Sequence, residues 1–391
     1  VRIKPYHRDT WVEIELDAIA ENIKNLQRRL NDETDIFAVV KADAYGHGDL
    51  QIAREALRAG ATGIDVALLD EALRLRRNGI QAPIHVMGWI RPEDAPLAAD
   101  HDISVTFFHK EWLETVQSLS LSKPLKLHMK WDTGMGRIGI RTIEEMQALL
   151  ELLPHENVML EGIFTHFATA DEVEAEGEAY YQAQEQRFNE MLDYFRTQWP
   201  EEVHIHTGNS AASMRFPEKM HDSVRFGISM YGLYPSPDVR AQQPIELHPA
   251  FSLQSRLVHV KKINPGEALS YGITYRAGGE EWIGTVPVGY GDGWIRKLQG
   301  MHVLVDGKPM EIVGRICMDQ FMIRLDQEYA VGEKVTLIGS QGDECVSIDD
   351  LAEHLDTITY EIPCMINQRV PRKYVKDGKI LEVHNPLLEK S

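Results

Sequence analysis

A repeating alternation is the feature that most constrains this chain. Apolar runs beginning near Ile36, Ile64, Ile84, Ile103, Leu125, Leu160, Val203 and Val224 are mostly separated by segments with apolar residues at helical spacing, such as Phe188, Met191, Leu192 and Phe195. Ahead of the first run, Ile19, Ile23, Leu26 and Leu30 give Asp17–Leu30 a helical period. Short, wholly apolar runs suit strands buried on both faces, and eight of them with intervening helices predict a (β/α)8 barrel, with a doubly wound sheet as the alternative. Gly60 and Gly79 fall where helix C-terminal glycines belong. After about Pro244 the texture changes to short β-rich runs, Leu257–Val260, Ile283–Val286, His302–Val305 and Lys334–Ile338, broken by Pro265-Gly266, Gly278-Gly279, Asp306-Gly307 and Asp377-Gly378. The expected fold class is therefore α/β, an N-terminal (β/α)8 barrel over residues 1–243 followed by a C-terminal mostly-β domain over residues 244–391, with the proline-rich stretch Pro235–Pro249 as linker.

Composition removes several function classes. The chain has 391 residues, 43% of them hydrophobic and 26% charged, which suits a folded enzyme with a sizeable core. Its 41 Lys plus Arg against 60 Asp plus Glu give a net charge of -19, which argues against nucleic acid or an anionic membrane as main partner. No apolar stretch is long enough for a membrane span, and Val1–Thr10 lacks a secretory pattern, so the expected compartment is the cytoplasm. Cys317, Cys345 and Cys364 form no close pair, so no metal site or disulfide framework is expected from them.

In such a barrel the reacting groups sit at the carboxyl ends of the strands. Those ends carry Lys41, Lys130 with Asp132, Thr165 with His166, His206 with Asn209, and Arg225 with Gly227, a ring of cationic and proton-transferring groups at one mouth. Gly208-Asn209-Ser210-Ala211-Ala212 and Arg225-Phe226-Gly227-Ile228 offer small residues whose backbone N–H groups can approach a phosphate, although small residues also simply make tight turns. Lys41 emerges from the buried run Phe37-Ala38-Val39-Val40. Desolvation there favours a neutral, nucleophilic amine suited to a Schiff base with an aldehyde cofactor; a lysine snorkelling to the rim is the plainer alternative. His166 alone reads equally as a hydrogen-bonded core histidine, and Tyr271 as a strand aromatic.

Gly134-Met135-Gly136-Arg137-Ile138-Gly139 is a literal GxGxxG with Glu161 about 22 residues on, the spacing of a dinucleotide site. The next helix, however, is expected only from about Thr142, and the motif follows the fifth barrel strand, so a pyrophosphate would not meet a helix N-terminus.

The segment Ala38-Val39-Val40-Lys41-Ala42-Asp43-Ala44-Tyr45-Gly46-His47-Gly48 resembles the pyridoxal-phosphate attachment segment of alanine racemases. So, in the same order as in that family, do Lys130–Arg137, Thr165–Asp171, Asn209-Ser210-Ala211, Val224-Arg225-Phe226-Gly227, Ser270-Tyr271-Gly272, Gly289-Tyr290-Gly291-Asp292-Gly293 and Gly314–Gln320. The resemblance runs nearly end to end, implies a barrel followed by a β domain assembled as a head-to-tail homodimer, and makes the GxGxxG part of the Arg137 loop.

The resemblance implies pyridoxal 5'-phosphate as cofactor, L- and D-alanine as substrates, and D-alanine for peptidoglycan as product. It implies Lys41 as the residue holding the cofactor and the base for the D-enantiomer, with Tyr271 reaching in from the partner subunit to serve the L-enantiomer. His166 would link Tyr271 to Arg225, whose guanidinium would face the pyridine nitrogen, and Asn209 would belong to the cofactor site. Tyr45, Ser210, Gly227, Ile228 and Tyr360 would hold the phosphate; Arg137 and the backbone of Met318 the substrate carboxylate. Tyr290 would narrow the entrance, and Lys130 corresponds to a lysine carbamylated in several members.

Asp43 stands where Asn is expected in many members, Gly208 where Ala is usual, and Asp65 is an odd residue for a buried barrel strand. The alternative activity is a serine or broad-specificity amino-acid racemase of the same fold; a decarboxylase, a non-catalytic pyridoxal-phosphate carrier and a nicotinamide oxidoreductase fit the motifs less well.

Overall fold

The computed structural model describes residues 6–388, with no cis peptide bond among them. Nine strands precede Pro249. The first, β1 (Thr10–Glu15), lies outside the barrel; the next eight are β2 (Asp35–Val39), β3 (Gly63–Val66), β4 (Ile84–Val86), β5 (Ser104–Phe107), β6 (Leu125–Lys130), β7 (Val158–Phe164), β8 (His204–Gly208) and β9 (Ser223–Phe226). These eight pair in parallel and in sequence order, and β9 closes on β2 through Ile36↔Val224 and Phe37↔Arg225. Every residue of β3, β4, β5 and β9 is buried, which is why these runs read as continuous rather than alternating. The helices between them present one apolar face each: in Leu69–Arg77 the buried residues are Leu69, Ala72, Leu73 and Leu75. The expected barrel is present, with all eight strands where the apolar runs predict them.

The chain divides into two units by its contacts. One, the barrel, comprises Ala18–Ala44 and Asp49–His248; the other comprises, among the described residues, those up to Asp17, Tyr45–Gly48 and those from Pro249 on. Against the domain boundary expected at 243/244, the contacts divide at 248/249, with two early segments in the β unit. The physical reason is hydrogen bonding: β1 pairs antiparallel with β10 (Phe251–Arg256) and parallel with the strand Arg372–Lys376, so it is an interior strand of the large sheet. Tyr45–Gly48 is held there by Arg372, which donates to Gly46 O at 3.1 and 3.2 Å, and by Tyr374, which donates to His47 O.

Two further expectations shift. The run Leu257–Val260 is not one strand: Leu257 ends the pairing after β10, and a new strand spans His259–Ile263. The Pro235–Pro249 stretch is an ordered connection, carrying a helix Pro237–Gln242 capped by the Ser236 hydroxyl, which accepts from Val239 N. No helix among the described residues is long and apolar enough to cross a membrane.

Candidate active site

The carboxyl end of β2 leads into a backbone conformation that no local residue pattern announces. Ala42, Asp43, Ala44 and Tyr45 all have φ of 52–53°, a turn of left-handed helix directly after Lys41. Four non-glycine residues there cost about 4–8 kcal/mol in backbone energy, so the turn needs external support. Glu71 Oε1 accepts from Ala42 N at 2.7 Å, Val40 O accepts from Ala44 N at 2.8 Å, and Asp43 Oδ1 accepts from Asp49 N at 3.1 Å, at the start of the helix Asp49–Ala59. Asp43 is thereby explained: Asn and Asp are the side chains that best tolerate left-handed backbone, and its carboxylate is engaged with a helix terminus.

The Lys41 side chain projects from this turn and makes no hydrogen bond among the described residues. Its pKa is lowered by burial and by the charges of Arg137 and Arg225, against the pull of Asp65 and Glu71. Lys130, the last residue of β6, is buried with Nζ lacking any partner and lying 4.4 Å from the Phe164 ring centre. Burial, then Arg225 and Arg137, hold its pKa well below the ordinary lysine value.

Arg225, in β9, is the hub. Its Nη1 donates to His206 O at 2.9 Å and His206 Nδ1 at 3.0 Å; its Nη2 donates to Thr165 O at 2.8 Å, Thr207 O at 3.1 Å and His166 Nδ1 at 3.2 Å. All five acceptors are neutral, and burial brings the guanidinium pKa down only to about 10, with Asp65 opposing, so it stays charged at neutral pH. Burial and the surrounding cations, Arg225 first, keep His166 neutral.

Asn209 caps the short helix Ser210–Arg215, its Oδ1 accepting from Ala212 N, and Ser210 Oγ accepts from Gly227 N at 3.0 Å and Ser229 N at 3.4 Å. The small-residue turns after β8 and β9 therefore converge on one buried hydroxyl. Gly208 has its own reason: a Cβ there would lie 2.3 Å from Met220 Sδ, whose side chain fills the space an alanine would need. The Gly134–Gly139 loop is tied by Asp132 Oδ1, which accepts from Gly134 N and Gly136 N, and the helix starts only at Ile143, capped by Thr142. Arg137 in that loop borders a cleft of about 540 Å³ with Trp89, Phe108, His109 and Arg141, and it makes no hydrogen bond or ion pair among the described residues.

The remaining predicted residues lie in the β unit. Tyr45 and Tyr360 pack with ring centres 6.2 Å apart. Tyr271 is 72% exposed at the tip of a small hairpin, Ala268–Leu269 with Tyr275–Arg276, where Ser270 (φ 64°) donates through Oγ to Arg315 O. Tyr290 and Met318 are 41% and 53% exposed on two loops sewn together by Tyr290 N to Cys317 O and Gly291 N to Met318 O. Beneath them Asp292 is fully buried and accepts from both Nη atoms of Arg8, at 2.6 and 2.5 Å.

Sequence reasoning missed the polar column inside the barrel. Asp65 Oδ1 lies 2.9 Å from His85 Nδ1, and His85 Nε2 lies 3.0 Å from Thr106 Oγ1, which accounts for the acidic residue in β3. His85, His128 and His206 bring ring nitrogens within 4.8 Å of one another, a spacing that could hold a metal ion, but every ring nitrogen of the three has a protein partner. The available signal was a polar residue flanked by apolar ones in a buried run: Ile64-Asp65-Val66, Ile84-His85-Val86, Leu127-His128-Met129.

As a donor set this mouth fits an aldehyde-bearing phosphate ester. It supplies an unpartnered amine of lowered pKa, a buried hydroxyl with convergent backbone N–H groups, and a guanidinium whose two Nη atoms are held by neutral acceptors.

Comparison with known proteins agrees. The profile of the alanine racemase N-terminal domain matches residues 14–235, and that of the alanine racemase C-terminal domain matches residues 250–374. The alanine racemase of Geobacillus stearothermophilus is 56% identical over 384 residues, 98% of this chain and 97% of that one. Alanine racemase 1 of Bacillus subtilis is 49% identical over 387 residues, covering 99% and 98%. A crystal structure of alanine racemase from Bacillus anthracis with bound L-Ala-P is 48% identical, with a TM-score of 0.94 over 98% of this chain and 99% of that one.

Proposed function

The chain belongs to the alanine racemase family and interconverts L- and D-alanine; from that premise we propose pyridoxal 5'-phosphate held at Lys41 as its cofactor, and a second base, the partner subunit's Tyr271, on the opposite face of the substrate. The relatives do not favour the serine or broad-specificity alternative. Bound at this mouth, the cofactor supplies an electron sink that acidifies the substrate Cα–H.

Inverting a stereocentre requires removing a proton from one face of Cα and returning one to the other, so two groups must flank it unless one moves. Lys41 suits one face: burial, then the charges of Arg137 and Arg225, lower its pKa, which favours the neutral amine that a base must be. This is the observation that carries the reading. The exposure of Tyr271 supports its service to another copy's site, and the loop that holds it is pinned by Ser270, so the phenol is presented rather than free to swing. Arg225 keeps its protons at neutral pH and, facing a ring nitrogen, would leave that nitrogen unprotonated, a weaker electron sink that restricts side reactions such as transamination. His166, neutral and accepting from Arg225 through Nδ1, carries its proton on Nε2 and can donate it to the Tyr271 oxygen.

Ser210, Asn209, Gly227 and Ile228, with Tyr45 and Tyr360, are proposed to hold the phosphate. The unpartnered Arg137, with the partner subunit's Met318 backbone, is proposed to bind the substrate carboxylate, and Tyr290 with Tyr360 to limit the side chain to a methyl group. We place the enzyme in the cytoplasm as a homodimer supplying D-alanine for peptidoglycan.

The test offers Cα-deuterated L- or D-alanine to wild type and Tyr271→Phe while solvent exchange and racemisation are followed together. The variant is expected to lose racemisation and keep Cα exchange from D-alanine through Lys41. Equal racemisation by both proteins would make Tyr271 structural and refute the two-base reading.

A further inference from the structure

The polar column inside the barrel continues past Arg225 to a carboxylate that the reading above leaves unused. His206 Nδ1 lies 3.0 Å from Arg225 Nη1; His206 Nε2 lies 2.8 Å from His128 Nδ1; His128 Nε2 lies 3.0 Å from Glu161 Oε2. Glu161, in β7, also accepts from Ser104 Oγ and has Lys126 Nζ 3.6 Å away, and its side chain is 31% exposed. A line of four side chains therefore joins the mouth of the site to solvent-touching charge.

Its protonation is dictated from both ends. A guanidinium only donates, so His206 Nδ1 must accept and the ring proton sits on Nε2. That proton goes to His128 Nδ1, which must therefore be bare, and His128 carries its own proton on Nε2, directed at Glu161. An ionised carboxylate only accepts, so starting from Glu161 gives the same assignment. Both histidines are neutral in it, in keeping with their environment: burial takes His206 well below the ordinary histidine range and His128 to about 4, while burial, which raises the Glu161 pKa, is outweighed by the sum of the hydrogen bonds from His128 and Ser104 and the nearby positive charge, which bring it to about 2. All three bonds point from Arg225 toward Glu161, so each polarises the next in the same sense. His85, stacked on His128 with ring centres 4.2 Å apart and itself held by Asp65 and Thr106, fixes the ring plane.

We propose that Glu161, His128 and His206 are positioning residues that hold Arg225 from behind, with Glu161 as the remote counter-charge that makes His206 Nδ1 a stronger acceptor and fixes the guanidinium in one orientation. This rests on the reading that Arg225 faces the cofactor ring. The effect is that of an outer-shell carboxylate on a ligating histidine, carried one residue further. With Nη1 and Nη2 committed, the face Arg225 presents to the ring nitrogen does not rotate as substrate and product exchange.

The experiment uses the holoenzyme with 15N-labelled histidine, its ring signals assigned through His128→Gln and His206→Gln, together with Glu161→Gln, which keeps an acceptor of the same shape and removes the charge. Wild type is expected to show His128 and His206 as neutral, Nε2-protonated tautomers at pH 7. In Glu161→Gln the His206 Nδ1 signal and the visible band of the bound cofactor should both move, and kcat/KM should fall about tenfold, mostly in kcat. A His206 proton on Nδ1, an imidazolium at either ring, or a Glu161→Gln protein with unchanged band and kcat would overturn the proposal. The tautomers are read on wild type, so the proposal stays exposed even should the variant not fold. A wild type that shows the tautomers but neither binds the cofactor nor racemises alanine would refute the functional reading instead.

Discussion

Replacing Asp292 by asparagine removes the one negative charge buried under the loops that carry Tyr290 and Met318. The carboxylate has no exposed surface, takes both Nη atoms of Arg8 at 2.6 and 2.5 Å, and accepts from Gly289 N at 3.0 Å, with Arg369 Nε at 3.5 Å. Asparagine keeps one acceptor oxygen but turns an amide donor toward a guanidinium that also only donates. One charge-assisted bond is lost, at about 1.5–3 kcal/mol, and Arg8 is left without a counter-charge. Breaking a buried pair from one side costs about 3–5 kcal/mol; the Arg8 side chain is 24% exposed and can recover some hydration, which places the expected loss near the lower figure. About 3 kcal/mol is a factor of about 150 in the folding equilibrium, readable as a shift of the urea midpoint at unchanged slope. Because the same loops are joined by Tyr290 N to Cys317 O and Gly291 N to Met318 O, KM for alanine should rise in the same variant. The double variant Arg8→Met with Asp292→Leu should regain most of the stability, since a buried pair replaced by apolar side chains is often neutral. A single variant within about 0.5 kcal/mol of wild type, or a double variant as unstable as the single, would refute this account.

Three further outcomes are expected. Ala42→Gly, at φ 53° in the left-handed turn, should stabilise by about 0.5–1 kcal/mol in urea denaturation, because glycine relieves the steric cost and gives back part of it as chain entropy. On acidification, the unfolded chain takes up a proton at histidine that buried His128 refuses down to about pH 4, so His128 alone should contribute a loss of about 3 kcal/mol between pH 6.5 and 4, with His166 and His206 adding to it. The loss continues as Glu161 protonates in the unfolded chain below about pH 4.5 while its folded pKa is about 2; His128→Gln should make the upper part of the curve less steep by the His128 share. Finally, Lys130, whose pKa burial holds well below the ordinary lysine value and whose Nζ has no hydrogen-bond partner, should add through Nζ to dissolved CO2 with release of a proton, giving a 13C-carbonate-derived carbamate signal that Lys130→Arg lacks.

Much of this was legible in the chain because burial on both faces writes itself as an uninterrupted apolar run, and the groups that end such runs, Lys41, Lys130, His166 and Arg225, are the ones the fold gathers at its mouth. What stayed illegible has three physical sources. Left-handed backbone at Ala42–Tyr45 is stabilised by Glu71 and other distant partners, and nothing local announces it. The column from Asp65 to Glu161 is assembled by strand register, so its members look in sequence like isolated faults in apolar runs. Strand β1 falls within the expected barrel domain 1–243 by order, yet its pairing partners are at the other end of the chain.

That last feature bears on how the molecule is made. Strand β1 leaves the ribosome before any barrel strand, but the two strands it lies between, β10 and Arg372–Lys376, emerge only after the barrel has been synthesised. The large sheet cannot close during translation; its first strand waits, unpaired, for partners such as Ser255, 245 residues downstream of Thr10. Pairings this distant fold slowly and leave apolar strand edges open to other chains in the interval. A fragment cut at residue 248 would keep every barrel strand yet deprive the sheet of an interior strand. The β unit released by such a cut is expected to aggregate, while supplying Thr10–Glu15 as a separate peptide should rescue it.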